Sequence, residues 1–121
     1  MKVEEQFANL VRSYRKKHVG KGPEKIKVWF HGNWVIAYMG GSLSPVERFI
    51  VQSEKGRVMI WQARTQLIKE LYHMVRPTEM EDLVGAKFIR LFTDVDVIRD
   101  EVVSVFIFDR PIDGSHLMIT L

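Results

Sequence analysis

Hydrophobic residues in the first part of the chain recur first at the spacing of a helix and then at that of a strand. The helical stripe consists of Val3, Phe7, Leu10, Val11 and Tyr14. It predicts an amphipathic helix that ends near Lys17, before the glycines and proline of residues 20–23. Residues 25–31 alternate between polar and apolar, residues 34–39 are apolar throughout, and the intervening Gly32-Asn33 is typical of a tight turn. The pattern therefore predicts a helix followed by a β-hairpin whose second strand is covered on both faces.

A second helical region follows the hairpin. Ser44-Pro45-Val46-Glu47 has the residues of a helix start, with Ser44 as the cap and Glu47 completing a capping box, and a short helix is expected through Gln52. Gly56 is expected to mark a bend or break, followed by a longer helix over residues 57–75. Its predicted inward residues are Trp61, Leu67, Ile68, Leu71, Tyr72 and Val75.

The last third of the chain predicts one more helical turn and a second hairpin. Residues 78–83 follow Arg76-Pro77 and precede Gly85, which are typical helix boundaries. Residues 87–93 and 102–108 have strand patterns, and the acidic residues 94–100 are expected to connect them. The resulting order is α-β-β-α(broken)-β-β. It predicts an α+β fold, a two-layer sandwich in which a four-stranded antiparallel sheet of two hairpins has helices packed on one face.

Composition narrows the class of protein. The 121 residues are 46% hydrophobic and 27% charged, which is ordinary for a globular protein and predicts a single domain over residues 1–121. Cysteine is absent, so the sequence excludes disulfides and zinc–thiolate sites. The N-terminus lacks the apolar stretch of a signal peptide, and no segment has the length of a membrane span. We therefore expect a cytoplasmic protein.

Positive charge is concentrated in the first half of the chain, and residues 77–121 carry an excess of acids. The densest basic region, together with an aromatic residue on the same predicted strand face, comprises Arg12, Arg15, Lys16, Lys17, Lys21, Lys25, Lys27 and Trp29. Basic side chains beside an exposed aromatic ring can bind nucleic acid or another anion through phosphate contacts and base stacking. A solvated basic face, or one that meets an acidic partner, is the simpler interpretation.

Other chemistry-bearing residues do not form a recognisable catalytic or metal motif. Residues 20–23 resemble part of an anion-binding loop but lack the remaining glycine and the Gly-Lys-Ser/Thr of phosphate-binding motifs. The acids of residues 94–101 do not match an EF-hand, and the four histidines lack metal-ligand spacing. The sequence therefore predicts no catalytic residue, metal or cofactor.

Apolar segments that the predicted fold leaves uncovered indicate self-association. The residues expected at a contact between copies are Trp34, Ile36, Tyr38, Leu117 and Ile119. A homo-oligomer, with a dimer as the first expectation, would cover both the strand and the apolar tail of residues 116–121.

Several segments together resemble the MpsC-like, or YbcI-like, family of bacterial proteins. They are Gly20-Lys21-Gly22-Pro23 with the strand after it, residues 41–47, the helix of residues 57–76, and Phe92-Thr93-Asp94-Val95-Asp96. The likeness covers residues 7–109, and residues 111–121 differ from the family pattern. The family is associated with a cation-translocating, membrane-potential-generating system whose membrane partners are linked to bicarbonate uptake. It offers no catalytic residues to carry over.

Three hypotheses follow from the residues and the resemblance. The first is a non-enzymatic accessory or interaction protein, with a membrane transporter among its partners. The second is a nucleic-acid-binding protein that uses the basic residues of segment 12–31. The third is an enzyme or small-ligand binder with a pocket between the helices and the sheet.

Overall fold

The computed structural model describes residues 2–112 and confirms the α+β architecture in the predicted order. The elements are α1 (Val3–His18), β1 (Lys25–His31), β2 (Trp34–Gly40), α2 (Pro45–Ile50), α3 (Glu54–Met74), α4 (Thr78–Val84), β3 (Phe88–Asp96) and β4 (Glu101–Phe108). The strands form one antiparallel sheet in the order β1-β2-β4-β3, so the two hairpins join through their second strands. The apolar tail of the chain lies outside the described residues.

Helix α1 combines a buried apolar stripe with charged residues that suit the two ends of a helix. Phe7 and Val11 are fully buried against the sheet, acids lie in the first turn, and Arg15 to His18 provide positive charge in the last turn. This distribution of charge stabilises the helix through its dipole. The helix ends one residue beyond the expected Lys17, and Gly20 then takes a φ of 98°, which favours glycine.

The first hairpin matches the predicted strands closely. Each residue of β1 is paired with β2, from Lys25 opposite Gly40 to His31 opposite Trp34. Gly32 in the turn has a φ of 58°, as a tight hairpin requires. Ile26, Val28 and Phe30 face the core, whereas the residues between them are exposed.

The capping box at the start of α2 is confirmed. The Ser44 side chain accepts a hydrogen bond from the Glu47 amide at 3.2 Å, and the Glu47 carboxylate accepts one from the Ser44 amide at 2.9 Å. The expected break at Gly56 is wrong in position. The chain turns at residues 51–53, and Gly56 lies inside the first turn of α3, where its amide donates to the Ser53 hydroxyl.

The face of α3 that meets the sheet differs from the prediction. Its buried residues follow strict four-residue steps: Gly56, Ile60, Arg64, Ile68 and Tyr72. Trp61, Leu67 and Val75, which were expected to point inward, are exposed. The sequence pattern places apolar residues alone on the inward face, whereas the observed buried stripe passes through Arg64.

Strand β3 is longer than expected, because Asp94 and Asp96 continue it and pair with Val103 and Glu101 of β4. The acidic residues were predicted to be a connection. They fit a strand because β3 is a sheet edge, where polar side chains remain in solvent. The connection itself is confined to residues 97–100.

All the core lies on one side of the sheet. Phe7, Met39, Phe106 and Phe108 are fully buried between the sheet and the helices, with α1 packed against β1 and α3 against β3. Described residues provide no helix long and apolar enough to cross a membrane. The other side of the sheet carries no helix of the described chain.

Candidate functional site on the open face of the sheet

The face of the sheet turned away from the helices, here called the open face, contains four rows of side chains. The strand register defines these rows, each running from β1 through β2 and β4 to β3. The rows are Lys25, Gly40, Glu101 and Asp96; Lys27, Tyr38, Val103 and Asp94; Trp29, Ile36, Val105 and Phe92; and His31, Trp34, Ile107 and Arg90.

The centre of the open face is apolar and aromatic. Trp29 is 45% exposed, Trp34 is 48% exposed and Phe92 is 56% exposed, while Ile36 and Val105 lie between them. Large apolar side chains that adjoin in this way are typical of a surface that binds another macromolecule. Of the residues expected at a contact between copies, Trp34, Ile36 and Tyr38 lie on this face, and Leu117 and Ile119 fall outside the described residues.

The two edges of the open face carry opposite charge. Lys25 and Lys27 lie on β1, and the ammonium of Lys27 is 5.3 Å from the centre of the Trp29 ring, within the range of a cation–π interaction. Asp94 and Asp96 occupy the same two rows on β3. Asp94 accepts a hydrogen bond from the Trp61 indole of α3 at 2.8 Å, and Asp96 forms an ion pair with Arg99 at 2.9 Å. Hydrogen bonds from the backbone and side chain of Arg99 lower the pKa of Asp96, so this carboxylate is ionised at neutral pH.

Tyr38 lies between the apolar centre of the open face and the row that contains Lys25, Glu101 and Asp96. Its hydroxyl donates a hydrogen bond to the Glu101 carboxylate on the neighbouring strand. This bond raises the pKa of the Tyr38 hydroxyl, which therefore stays protonated at neutral pH. The two side chains form a polar border beside the apolar centre.

The predicted basic surface is divided between the two layers of the fold. Lys25, Lys27 and Trp29 are on the open face, whereas the basic residues before them belong to α1 and the turn after it. Arg12 donates to the Pro23 carbonyl at 3.4 Å, and Lys21 donates to the Gly41 carbonyl. Lys16 and Lys17 are exposed on α1.

Arg15 corrects the expectation of an exposed basic group. Its side chain is only 2% exposed and lies in the core beneath α1, so it contributes nothing to a basic outer surface. The residue continues the four-residue spacing from Phe7 through Val11, and this spacing was the available sequence signal for its burial.

A polar junction lies where the chain leaves β2 and enters β4, and it joins segments that the sequence pattern did not connect. Asp100 accepts hydrogen bonds from the amides of Ser42 and Leu43 at 2.8 and 3.1 Å. It has a φ of 54°, a conformation that non-glycine residues adopt rarely. Gly41 permits the junction because its φ of 71° favours glycine and an added Cβ would lie 2.8 Å from the Glu24 Cβ. The junction fixes the loop from which α2 begins.

Within residues 2–112, no group of three or more His, Asp or Glu side chains has the arrangement of a metal site. The open face combines an aromatic centre with a basic edge on β1 and an acidic edge on β3.

Comparisons with known proteins agree with the resemblance seen in the motifs. The chain is 44% identical over 108 residues to the uncharacterized protein YrhF of Bacillus subtilis strain 168, covering 89% of this chain and 88% of YrhF. It is 23% identical over 104 residues to the uncharacterized protein YbcI of the same strain, covering 86% and 83% of the two chains. No solved structure matches. The family model described as "Na+-translocating membrane potential-generating system (MpsC)" matches residues 1–110, and the chain therefore belongs to the MpsC family.

Proposed function

We propose that the protein is a non-enzymatic, cytoplasmic docking subunit of a cation-translocating membrane system, and that it works as a homodimer formed through the open face. Family membership supports the link to such a system. The observation that carries the docking role is an apolar row that crosses the whole sheet and has exposed aromatic rings at both ends: Trp29, Ile36, Val105 and Phe92. Covering this row removes a large apolar area from water, which is the main driving force for association.

The charges on the two edges favour a second copy as the occupant of the open face. Two sheets that pack face to face are related by a two-fold axis lying between them. If this axis runs along the strands, β1 of one copy lies over β3 of the other. Each row of side chains then lies over the same row of the second copy, with its residues in the opposite order. Lys25 then lies opposite Asp96 of the second copy, and Lys27 lies opposite Asp94. Each lysine would add a further partner to a carboxylate that already binds Arg99 or Trp61 of its own chain. The same axis places Trp29 over Phe92 of the second copy, so the aromatic residues of the two copies contact each other.

A two-fold axis that runs across the strands pairs fewer opposite charges between the two copies. An axis across the strands would place β1 over β1 and β3 over β3, with the row order reversed. Arg90 would face Asp96, but both lysines would lose their acidic partners. The axis along the strands gives two lysine–aspartate pairs for each copy, and the axis across them gives one arginine–aspartate pair. Charge complementarity therefore selects the first arrangement.

The size of the open face predicts a dimer of moderate strength. Strands of seven residues at about 3.3 Å per residue, in four positions about 4.8 Å apart, give a patch of roughly 20 by 23 Å. Two such patches with their side-chain relief bury roughly 1,000 Å², near the lower limit for a specific interface. We therefore expect a dissociation constant of the order of micromolar.

Charge exchange tests the arrangement directly. The variant Lys25→Glu with Lys27→Glu has two acidic edges, and the variant Asp94→Lys with Asp96→Lys has two basic edges. Each variant alone should be monomeric, because equal charges then face each other across the two-fold axis. An equimolar mixture should form a heterodimer, since both edge contacts become attractive. Sedimentation velocity on the wild type, each variant and the mixture measures these four states.

Three results would contradict the proposed dimer. They are a wild type that stays monomeric well above the expected dissociation constant, variants that self-associate like the wild type, and a mixture that remains monomeric although both variants fold. Lys16→Glu with Lys17→Glu is the matched control, because it removes the same charge from α1 and should leave the dimer unchanged. Far-ultraviolet circular dichroism verifies folding in every case.

A cellular experiment tests the accessory role separately. In the organism that encodes the protein, deletion of its gene should reduce the sodium-dependent part of the membrane potential, measured with a potential-sensitive dye. The wild-type gene and the Lys16/Lys17 control should restore it, whereas either charge variant alone should not. Co-expression of the two charge variants should restore it. An unchanged potential after deletion would contradict the link to cation translocation, whatever the oligomeric state.

A further inference from the structure

Strand β3 is an edge of the sheet, and the register shows which of its backbone groups face outward. The Phe108 amide at the end of β4 donates to the Asn33 carbonyl on the side of β2. Because backbone groups alternate in direction along a strand, the even-numbered residues of β4 face β2 and the odd-numbered ones face β3. Leu91 and Thr93 lie opposite even-numbered residues, so their own N–H and C=O groups point away from the sheet.

Side chains of the protein itself close both ends of this edge. At one end, the Val95 amide donates to the Asp94 carboxylate at 2.9 Å, and the Trp61 indole donates to the same oxygen at 2.8 Å. At the other end, the Phe88 amide donates to the Glu81 carboxylate of α4 at 2.7 Å. In the part of the chain that the structure describes, no hydrogen bond closes the two outward-facing residues between these ends. An edge that is closed at its ends and open in its middle leaves room for a short strand.

Apolar side chains border the open part of the edge on both faces of the sheet. Phe92 lies on the open face, Trp61 projects from α3 on the covered side, and Ile89 lies at the irregular start of the strand. All three are exposed in the single chain. A strand added at this edge would cover parts of them, since side chains of neighbouring strands pack against each other. Unpaired backbone groups between apolar side chains are the features by which a sheet edge recognises an extended peptide.

Opposite charges on either side of Phe92 define the chemistry of the added strand. Arg90 is exposed, its guanidinium lies 6.0 Å from the centre of the Phe92 ring, and it forms no ion pair with a described residue. Both hydrogen bonds to Asp94 use its Oδ1, so its Oδ2 remains available. In an antiparallel strand, the residue opposite Asp94 comes first and the residue opposite Arg90 comes fifth. Charge complementarity therefore requires a basic first residue and an acidic fifth residue.

Helix α3 limits how bulky the partner can be. The helix packs against β3 on the covered side, and its Trp61 indole reaches Asp94 across the edge. Two β3 strands paired edge to edge would lie about 4.8 Å apart, and the two α3 helices over them would be similarly close. Packed helices need about 8–10 Å between their axes. A second copy of the chain therefore does not fit at this edge, whereas a single extended segment does.

We infer that the edge of β3 between Arg90 and Asp94 binds an extended segment of a partner protein as a fifth, antiparallel strand. The segment has a basic residue, three apolar residues and an acidic residue, in that order. Its second and fourth residues exchange backbone hydrogen bonds with Thr93 and Leu91, and its third residue packs beside Phe92. The inference does not depend on the dimer or on the link to cation translocation, because the outward backbone groups of β3 take no part in either.

A synthetic peptide with blocked ends, Gly-Lys-Val-Phe-Val-Glu-Gly, is the probe. The full chain with Trp29→Phe and Trp34→Phe is kept at about 0.1 μM, below the expected dissociation constant of the dimer. Added peptide should shift the emission of the remaining Trp61 to shorter wavelength, because the new strand covers part of its ring. A control peptide has N-methyl valine at both valine positions, which keeps the side chains and charges but removes two N–H donors. This control should bind about twentyfold more weakly.

Charge exchange tests the orientation of the peptide. The protein variant Arg90→Glu should bind the probe about fivefold more weakly, and a peptide with lysine in place of its glutamate should recover the loss. Lys16→Glu is the matched control, because this exposed residue of α1 lies away from β3, and it should leave binding unchanged. Circular dichroism verifies that each variant folds.

Amide hydrogen exchange, followed by nuclear magnetic resonance on the wild-type chain, locates the added strand directly. The amides of Leu91 and Thr93 should exchange quickly in the free protein and become protected when the peptide binds. Four results would overturn the inference: no binding of the probe, equal binding of the N-methylated peptide, protection on β1 instead of β3, or protection of the two amides that rises with protein concentration in the absence of peptide. The last result would mean that a second copy occupies the edge.

Discussion

Glu47 holds together the start of α2, the loop before it and the middle of α3. One oxygen of its carboxylate accepts from the Ser44 amide, and both oxygens accept from Arg64. Burial by itself would raise the pKa of Glu47. The hydrogen bonds from Arg64 and Ser44 outweigh that effect and lower the pKa from 4.5 to about 2. The ionised form is therefore the one that stabilises the folded protein.

This shift predicts how stability depends on pH. A carboxyl whose pKa is lower in the folded state contributes its full stabilisation above its unfolded pKa and loses it as the pH falls through the folded pKa. We expect the contribution of Glu47 to be complete above about pH 4.5 and to disappear between pH 4.5 and about 2. Glu47→Gln should cost about 2 kcal/mol at pH 7, allowing for solvent screening of this part-exposed group.

Urea unfolding between pH 2 and 7 measures the effect. The difference in unfolding free energy between wild type and Glu47→Gln should shrink steadily below pH 4.5. Glu70→Gln is the matched control, since Glu70 is exposed on α3 and its hydrogen-bond partner among residues 2–112 is the Gln66 side chain. A constant difference between wild type and Glu47→Gln over the whole range would contradict the assigned pKa.

Single residues also mark the limit of what the sequence could predict. The capping pair Ser44 and Glu47 was identified because its chemistry is local to four consecutive residues. Arg15 and Arg64 were not identified as buried, because a charged residue is normally assigned to the surface. Their positions in four-residue stripes carried the signal, but their partners come from distant segments that only the fold brings close.

At the scale of elements, the joint between α2 and α3 is built around Gly56. A Cβ at this position would lie 1.8 Å from the Ile50 carbonyl oxygen, far closer than any real contact. Alanine usually stabilises a helix by about 1 kcal/mol relative to glycine. Here we expect the opposite sign, because the two helices would have to move apart. Gly56→Ala should lower the unfolding free energy by about 2 kcal/mol or more.

Thermal and urea unfolding of Gly56→Ala measure this effect. Ala63→Gly supplies the reference, because Ala63 is exposed within α3 and reports ordinary helix propensity. That variant should lose about 1 kcal/mol. If Gly56→Ala were more stable than the wild type, the close approach of Ile50 to Gly56 would be wrong.

The elements themselves were predicted best where pattern and boundary residues coincide. The strand of residues 25–31 was bounded by a polar turn on each side and needed no correction. The inward face of α3 was wrong because exposed Trp61 and Leu67 look apolar in the sequence, although they lie beside the buried stripe. Strand β3 was predicted too short because edge strands tolerate acids that central strands exclude.

For the whole molecule, the apolar strand β2 already indicated that both faces of the sheet need a cover. The structure shows helices on one face and places β2 beside β4 in the centre. The sequence could not show that Lys25 and Lys27 share rows with the acids of β3. That alignment arises only from the register of three strand pairings.

The three tryptophans provide an optical test of the proposed dimer. Trp29 and Trp34 lie on the open face, whereas Trp61 is on α3 beside the edge strand, and all three are partly exposed in the single chain. In a Trp61→Phe variant, fluorescence should shift to shorter wavelength as concentration rises through the micromolar range, because association removes both remaining indoles from water. A variant with Trp29→Phe and Trp34→Phe retains the apolar face but reports only from Trp61. Its emission should shift less than that of the Trp61→Phe variant, because Trp61 meets the contact only through its hydrogen bond to Asp94. A shift confined to this second variant would place the contact between copies on the helical side instead.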